Sequence, residues 1–321
     1  MTPQVLHIGF SKCGSSYLRA LFRGHPGINL VWKSGFFTPS LYTSNPSRPT
    51  TLDQYRAMFD KREGLLTVES DEHLTMPSVH PRLGVRGTNI ADFERLVGVI
   101  ARLLPGAKII MIIRNQPALL VSRYSEYLIA GGKLEFDEFV SQLMGYDGDG
   151  NCYFQNYYEM MIDVLARHFS SEQLLILAQE EMASDIAAMT ANIARFLTLS
   201  DPFVAASGFL SERKSLSLGG MSVLRAVNRF LVRQSSFAGA PPLTRGPWFV
   251  YHNIIRAIRL FDHMVLGQVS GRSSSLLTKE VRRSLLEHFE PHNRLLKRHF
   301  NGDLVAMGYL ATSDAATGLG R

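Results

Sequence analysis

Residues 7–22, HIGFSKCGSSYLRALF, begin as a buried strand and end as an amphipathic helix; Lys12 and Cys13 lie between Gly9 and Gly14, and the pair Ser15-Ser16 follows. Gly9 ends the strand, and Gly14 lets the backbone approach a ligand closely. Ser15 and Ser16 fall in the first turn of the helix, where N–H groups lack intrahelical acceptors and the dipole favours an anion. Lys12 adds a point charge at the same place. A plain strand-to-helix turn with an N-cap serine and an exposed lysine would share these glycines, because a lone glycine loop is not specific. The order also departs from the ATP-binding loop G-x-x-x-x-G-K-[ST]: the lysine precedes the second glycine, and the Lys-Ser pair that serves magnesium is missing. A phosphate-like anion is expected here, held otherwise than in an ATPase.

Outward from this loop, short apolar runs alternate with longer helical patterns. Residues 5–10, 65–69, 108–113 and 174–178 read as strands, most of them continuous apolar runs suited to a sheet covered on both faces. Helical periodicity marks 15–23, 91–104, 118–130, 152–169 and 185–197. The alternation predicts an α/β fold of P-loop-like, three-layer type, with a central parallel sheet flanked by helices. After about residue 200 the strand signal fades, and helices are expected near 220–233, 247–264 and 278–299, the last broken or bent at Pro291. Residues 1–200 are thus expected to form the α/β core and 201–321 a mostly helical C-terminal part of the same domain. Residues 238–242 read as a loop, and the small, polar end at 311–321 is expected to fray.

A second motif lies in KIIMIIRNQPALLVSRYSEYL, residues 108–128. An arginine at the C-terminal end of a strand projects into the crevice where open α/β sheets bind ligands, and here that residue is Arg114. Ser122 follows eight residues later on a helix, where its hydroxyl can face the same phosphate.

Together the two segments resemble the sulfotransferase family that uses 3′-phosphoadenosine 5′-phosphosulfate (PAPS). Its first motif, P-K-[CST]-G-[ST]-[ST]-[WY/A]-L, is matched by Ser11-Lys12-Cys13-Gly14-Ser15-Ser16-Tyr17-Leu18, with Ser11 where proline is usual. Its second pairs an arginine with a serine eight residues on, as Arg114 and Ser122 do; Pro117 stands one place later than usual. The resemblance extends more loosely through residues 157–185 and the tail HFEPHNRLLKRHFNGDLVAMGYL, which is similar to bacterial and carbohydrate-type members. It implies that Lys12, Cys13, Gly14, Ser15, Ser16 and Tyr17 hold the 5′-phosphosulfate and that Arg114 and Ser122 bind the 3′-phosphate. A basic pair in a loop, here Arg213-Lys214, would close over that phosphate.

The reaction so implied moves a sulfuryl group in line from PAPS to a hydroxyl of a carbohydrate, glycolipid or small metabolite. PAP is the product, and no metal is required. Such transfer depends mostly on positioning and charge stabilisation, with Lys12 steadying the leaving phosphate. A hydroxyl acceptor also needs a general base. Heparan-type members carry a glutamate after a lysine in the stretch comparable to Trp32-Lys33-Ser34-Gly35-Phe36-Phe37, where this chain has Ser34. Phenol- and steroid-type members use a histidine after the second strand, and this chain reads Val68-Glu69-Ser70-Asp71-Glu72-His73 there. Glu72 and His73 are therefore the leading candidates, with Glu69 behind them; the ordinary histidine pKa of roughly 6.5 suits the task. A solvated strand exit would have the same composition. Lys33 is a further candidate for reaching the sulfuryl group. His7, His25, Tyr124 and Tyr127 read as packing residues. Two competing readings are a kinase-like phosphoryl transferase, against which the failed ATP-loop pattern counts, and a PAPS-binding relative that has lost its base.

Composition bounds the rest. The 321 residues are 45% hydrophobic and 19% charged, as in soluble globular proteins. No run of about 18 apolar residues exists, and the N-terminal MTPQVLHIGF lacks the pattern of a secretory signal. Cys13 and Cys152 give neither a disulfide framework nor zinc-ligand spacing, which fits a reducing, cytoplasmic setting. The net charge is +6, but residues 213–261 alone hold eight Lys or Arg and no acid. Either a pair of solvated helices with basic outer faces or a surface for an anionic partner is expected there, with no nucleic acid implied: a nucleotide phosphate, an acidic glycan or lipid headgroups at the inner face of a membrane. Residues 221–264 mix arginine with Phe, Trp, Val and Ile as interfacial helices do, and they equally suit an acceptor-binding lid with basic edges.

Overall fold

The computed structural model describes residues 4–37, 51–57, 64–75, 89–144, 156–204, 216–234 and 243–311. Arg213, Lys214, Cys152, the loop at 238–242 and all but the first residue of 311–321 lie outside them. Five parallel strands form the central sheet: β1 (Val5–His7), β2 (Ile28–Trp32), β3 (Leu66–Ser70), β4 (Lys108–Ile113) and β5 (Leu174–Ala178), in the order β2-β3-β1-β4-β5. The helices are α1 (Ser15–Gly24), α2 (Leu52–Ala57), α3 (Ile90–Leu103), α4 (Gln116–Ile129), α5 (Phe136–Met144), α6 (Tyr158–His168), α7 (Gln179–Ser184), α8 (Ile186–Leu197), α9 (Leu218–Leu231), α10 (Trp248–Phe261), α11 (Gly267–Val269) and α12 (Lys279–Leu295). A two-stranded antiparallel pair, β6 (Val232–Gln234) and β7 (Leu243–Thr244), follows α9.

The sequence of β4, KIIMII, is apolar after its first residue because the strand lies between β1 and β5, and everything from Ile109 to Ile113 is buried. Strand order reverses about β1, which pairs with β3 on one side and β4 on the other. The crevice at such a switch point lies beyond the C-terminal strand ends. The anion loop after β1, the turn after β3 and Arg114 after β4 therefore share one edge of the sheet.

Two compact units result. The first comprises Met1–Asn115, Tyr146–Leu210 and Glu287–Arg321 and contains the five-stranded sheet. Its C-terminal stretch is pinned by polar bonds: His292 Nδ1 meets Glu159 Oε1 at 2.5 Å, His299 Nε2 meets Asp163 Oδ1 at 3.0 Å, and Asn293 donates to the Tyr309 carbonyl at 2.9 Å. Pro291 lies within α12, which continues to Leu295 before a 3-10 turn, so the expected break falls later than the proline. The second unit comprises Gln116–Gly145 and Ser211–Leu286. There Tyr124 and Tyr127 are buried against Phe139, and Asn228 joins α9 to the end of α4 and to α10. Its amide donates to the Leu128 and Gly132 carbonyls at 2.7 Å each, and its oxygen accepts from Tyr251 at 2.7 Å.

The structure adds elements to the expected pattern. β2, α2, α5, α7, α11 and the β6–β7 pair are not among the expected elements, and β1 ends at His7 instead of Phe10, although Ile8 still donates to the Ile110 carbonyl at 2.9 Å.

Candidate functional site

The anion loop is built from left-handed backbone. Lys12 has φ +70° and Gly14 φ +96°, and Gly14 is the N-cap of α1 without a side-chain cap. Left-handed turns of this kind gather N–H groups into an anion-binding concavity. A Cβ on Gly14 would also stand 2.4 Å from Met182 Cε, so both conformation and space require glycine. The Ser15 hydroxyl does not cap the helix; it donates back to the Phe10 carbonyl at 3.2 Å. Cys13 and Tyr17 are buried as whole residues. From the end of β4, Arg114 Nη1 donates to the Lys12 carbonyl at 3.0 Å, and the Arg114 carbonyl accepts from Tyr158 Oη at 2.5 Å. Two expected nucleotide residues, Lys12 and Arg114, are thereby brought together. Ser122 lies buried on α4, in the second unit.

A chain of polar contacts runs from the loop to the strand ends. Arg19, three residues after Ser16 on α1, donates to Ser16 Oγ at 3.0 Å and to Glu72 Oε2 at 2.8 Å. Lys33 Nζ lies 3.1 Å from the other Glu72 oxygen. Burial raises the Glu72 carboxyl, but Lys33 and Arg19 outweigh it and hold its pKa below the ordinary value. Arg19 and Lys33 also approach the Trp32 ring at 5.1 and 5.4 Å from its centroid. Lys33, like Lys12, has left-handed backbone, at φ +54°. These two are the only described non-glycine residues with positive φ besides Thr198, a helix C-cap. Such backbone costs on the order of 1–3 kcal/mol and clusters at functional sites.

The remaining candidates divide by accessibility. Glu69 is 1% exposed, and its two oxygens accept from Ser34 Oγ and Tyr55 Oη. Burial pushes its carboxyl up to about 7. Asp71 is buried at the start of the turn after β3, and its Oδ1 accepts from the His73 N–H at 3.0 Å and lies 3.4 Å from His73 Nδ1. The His73 side chain is 23% exposed. His7 is fully buried with Nδ1 at 2.8 Å from Ser70 Oγ, and burial lowers it to about 4. Arg19 and Tyr55 are not among the residues expected from sequence, and Asp71 is there only as part of the cluster after β3. For Arg19 the spacing to Ser16 on one helical face was an available signal; for Tyr55, far along the chain, there was none.

The sequence profile of the sulfotransferase domain matches residues 2–235. No curated protein matches the chain. Among solved structures, a sulfotransferase from Alicyclobacillus acidocaldarius is similar with a TM-score of 0.57 and 15% identity, over 96% of this chain and 99% of that one. The mouse sulfotransferase SULT7A1 complexed with PAP covers 92% of this chain and 85% of its own at a TM-score of 0.47 and 14% identity. The profile takes in the anion loop, the turn after β3 and Arg114, and the first of these structures shares the fold end to end: the chain belongs to the sulfotransferase domain family.

Proposed function

We propose that this sulfotransferase moves a sulfuryl group from PAPS to a hydroxyl of a carbohydrate, glycolipid or small metabolite. The observation that carries the reading is a lysine held in left-handed backbone within a glycine loop at a helix N-terminus, latched by Arg114 from the neighbouring strand. Those residues fit a phosphosulfate: the first turn of α1 offers amides without intrahelical acceptors, and Lys12 offers the charge. PAPS supplies the sulfuryl group and leaves as PAP. Lys12 and the amides of Gly14, Ser15 and Ser16 would steady charge on the leaving phosphate. Arg114 and Ser122 would serve the 3′-phosphate, with Arg213 and Lys214 closing over it. Residues 1–200 would form the nucleotide-binding core and 201–321 the acceptor lid and closing helices, with the cytoplasm as the place of action.

The acceptor proton is assigned by elimination. Glu69 is buried with both oxygens engaged, so an acceptor has no access to it. Glu72 is held between two cations and lowered in pKa, which makes it a weak base and a positioner of Arg19 and Lys33. His73 is reachable and lies beside the Asp71 carboxylate, which can orient its ring and steady the charge it gains.

Calorimetric titration with PAP tests the nucleotide half. Binding by the wild type should weaken by about tenfold or more in Lys12→Ala and in Arg114→Ala, since each removes a charge-assisted contact. No heat with wild-type protein overturns the proposal. PAP binding without turnover on any acceptor, indifferent to substitution of His73 or Glu72, would favour a non-catalytic PAPS-binding protein instead.

A further inference from the structure

Helix α10 divides its surface into three sectors. Tyr251, Ile255 and, about two turns beyond, Asp262 are buried within the second unit, and Tyr251 bonds Asn228. On the exposed remainder, Phe249, Val250, Ala257, Leu260 and Phe261 fall within about a third of the helical circumference at 3.6 residues per turn, with Asn253 the one polar side chain among them. Phe249 is 65% exposed and Leu260 58%. His252, Arg256, Arg259 and His263 line the adjoining sector, between the buried stripe and the apolar one, and all are exposed. An ordinary surface helix buries its apolar stripe and shows a polar face to water; this one buries one apolar stripe and exposes another.

The chain segment that carries the stripe has charge of one sign up to Phe261. No acid occurs between Arg213 and Phe261. The next, Asp262, is buried and accepts from the Ser217 N–H at 3.0 Å at the start of α9, so it does not offset the surface charge. Arg225 and Arg229 meet Glu135, but Arg256 and Arg259 have no carboxylate partner among the described residues. Phe230 on α9 adds an apolar side chain 72% exposed in the same unit, next to Arg229. Apolar side chains flanked by arginines that meet no described carboxylate match a bilayer surface, where the rings enter the headgroup boundary and the guanidinium groups meet lipid phosphates.

We propose that α10 docks the protein on anionic membrane, its Phe249–Leu260 stripe inserted at the headgroup boundary and Arg256 and Arg259 on the lipid phosphates. The proposal does not depend on sulfuryl transfer.

Full-length protein is sedimented with vesicles of phosphatidylcholine alone and of phosphatidylcholine mixed with phosphatidylglycerol. Retention is expected on the anionic vesicles and should fall as salt is raised. Phe249→Ser and Leu260→Ser should each lower the partition coefficient by about tenfold or more. Arg256→Ala and Arg259→Ala should lower it by about fivefold each. The far-ultraviolet circular dichroism spectrum and the urea unfolding midpoint should be unchanged in all four, which shows that they fold. Three results overturn the proposal: no retention on anionic vesicles; a concentration-dependent dimer abolished by Phe249→Ser, which assigns the stripe to a second copy of the chain; or loss of turnover on a water-soluble acceptor in Phe249→Ser without vesicle binding by the wild type, which assigns it to the acceptor.

Discussion

Replacing Glu69 with glutamine should stabilise the protein at pH 8 and leave it nearly unchanged at acid pH, and the sign follows from two buried groups that oppose each other. Burial lifts Glu69 from an ordinary 4.5 to about 7. Below the lower value both folded and unfolded chains carry the proton, so ionisation exerts no effect. Between the two values the folded chain keeps a proton that the unfolded chain has lost, and stability falls as pH rises. Above the upper value the loss is complete, at about 3 kcal/mol. His7 runs the other way. Burial lowers it from 6.5 to about 4, so the unfolded chain takes up a proton that the folded chain refuses, and stability rises across that window. The two slopes overlap and nearly cancel in the wild type.

The glutamine variant separates them. Its amide has the shape of the protonated carboxyl, with an oxygen to accept from Ser34 and an N–H to donate to Tyr55. The stability of Glu69→Gln relative to wild type should therefore climb by about 3 kcal/mol between about pH 5 and pH 8, while the variant alone shows the rising His7 slope. Urea unfolding followed by far-ultraviolet circular dichroism at a series of pH values measures both. A variant-minus-wild-type difference that stays flat across the window would refute the reasoning, because Glu69 would then titrate in the folded chain as it does in the unfolded one.

Lys12→Gly should abolish PAP binding yet raise stability by about 1 kcal/mol, since glycine accepts φ +70° without the Cβ clash; a drop in melting temperature would contradict the strain assigned to the loop. His73→Gln should cut turnover by about a hundredfold or more while PAP affinity holds, and equal losses in both would make His73 part of the nucleotide site instead. Asn228→Ala should cost about 2–4 kcal/mol in urea unfolding, as three bonds of 2.7 Å vanish and buried carbonyls at Leu128 and Gly132 lose their donor. Asn228→Asp should fare no better, because a carboxylate accepts from Tyr251 but cannot donate to either carbonyl.

The sheet was legible wherever a strand is buried on both faces. KIIMII and the run ending at Ser70 stand out because every position must be apolar or bonded. β2 is obscured for the opposite reason: INLVW is an edge strand, its residues after Ile28 are half-buried or exposed, and Asn29 interrupts the apolar run, whereas the other edge strand, β5, keeps the unbroken run LLILA. α5 was hidden by its charged first turn, Asp137 and Glu138, although Phe136, Phe139, Val140 and Leu143 keep helical spacing. In the site, the loop and Arg114 could be read because their motifs are local and sit at strand ends. The network behind them joins residues 16, 19, 33 and 72 across three chain segments, and no local pattern records such a meeting.

Position 34 shows what that network changes. Against relatives with glutamate there, Ser34 looks like a lost base, and the sequence alone leaves the carboxylate simply missing. In the fold, Ser34 donates to Glu69 from the neighbouring strand, so a carboxyl still occupies that part of the structure, but it is sealed between two hydroxyls. The next carboxylate, Glu72, meets the lysine that precedes Ser34. A carboxylate between Arg19 and Lys33 fixes both cations in place before any anion arrives, and fixed charges stabilise a developing negative charge without reorganising at the moment of reaction. It also cancels one of the two positive charges, which under the proposed reaction would temper ground-state attraction for an anion that must leave again as product. With Glu69 sealed and Glu72 held by the two cations, neither carboxylate is left for a proton from outside, which is the ground for proposing the adjacent histidine as base.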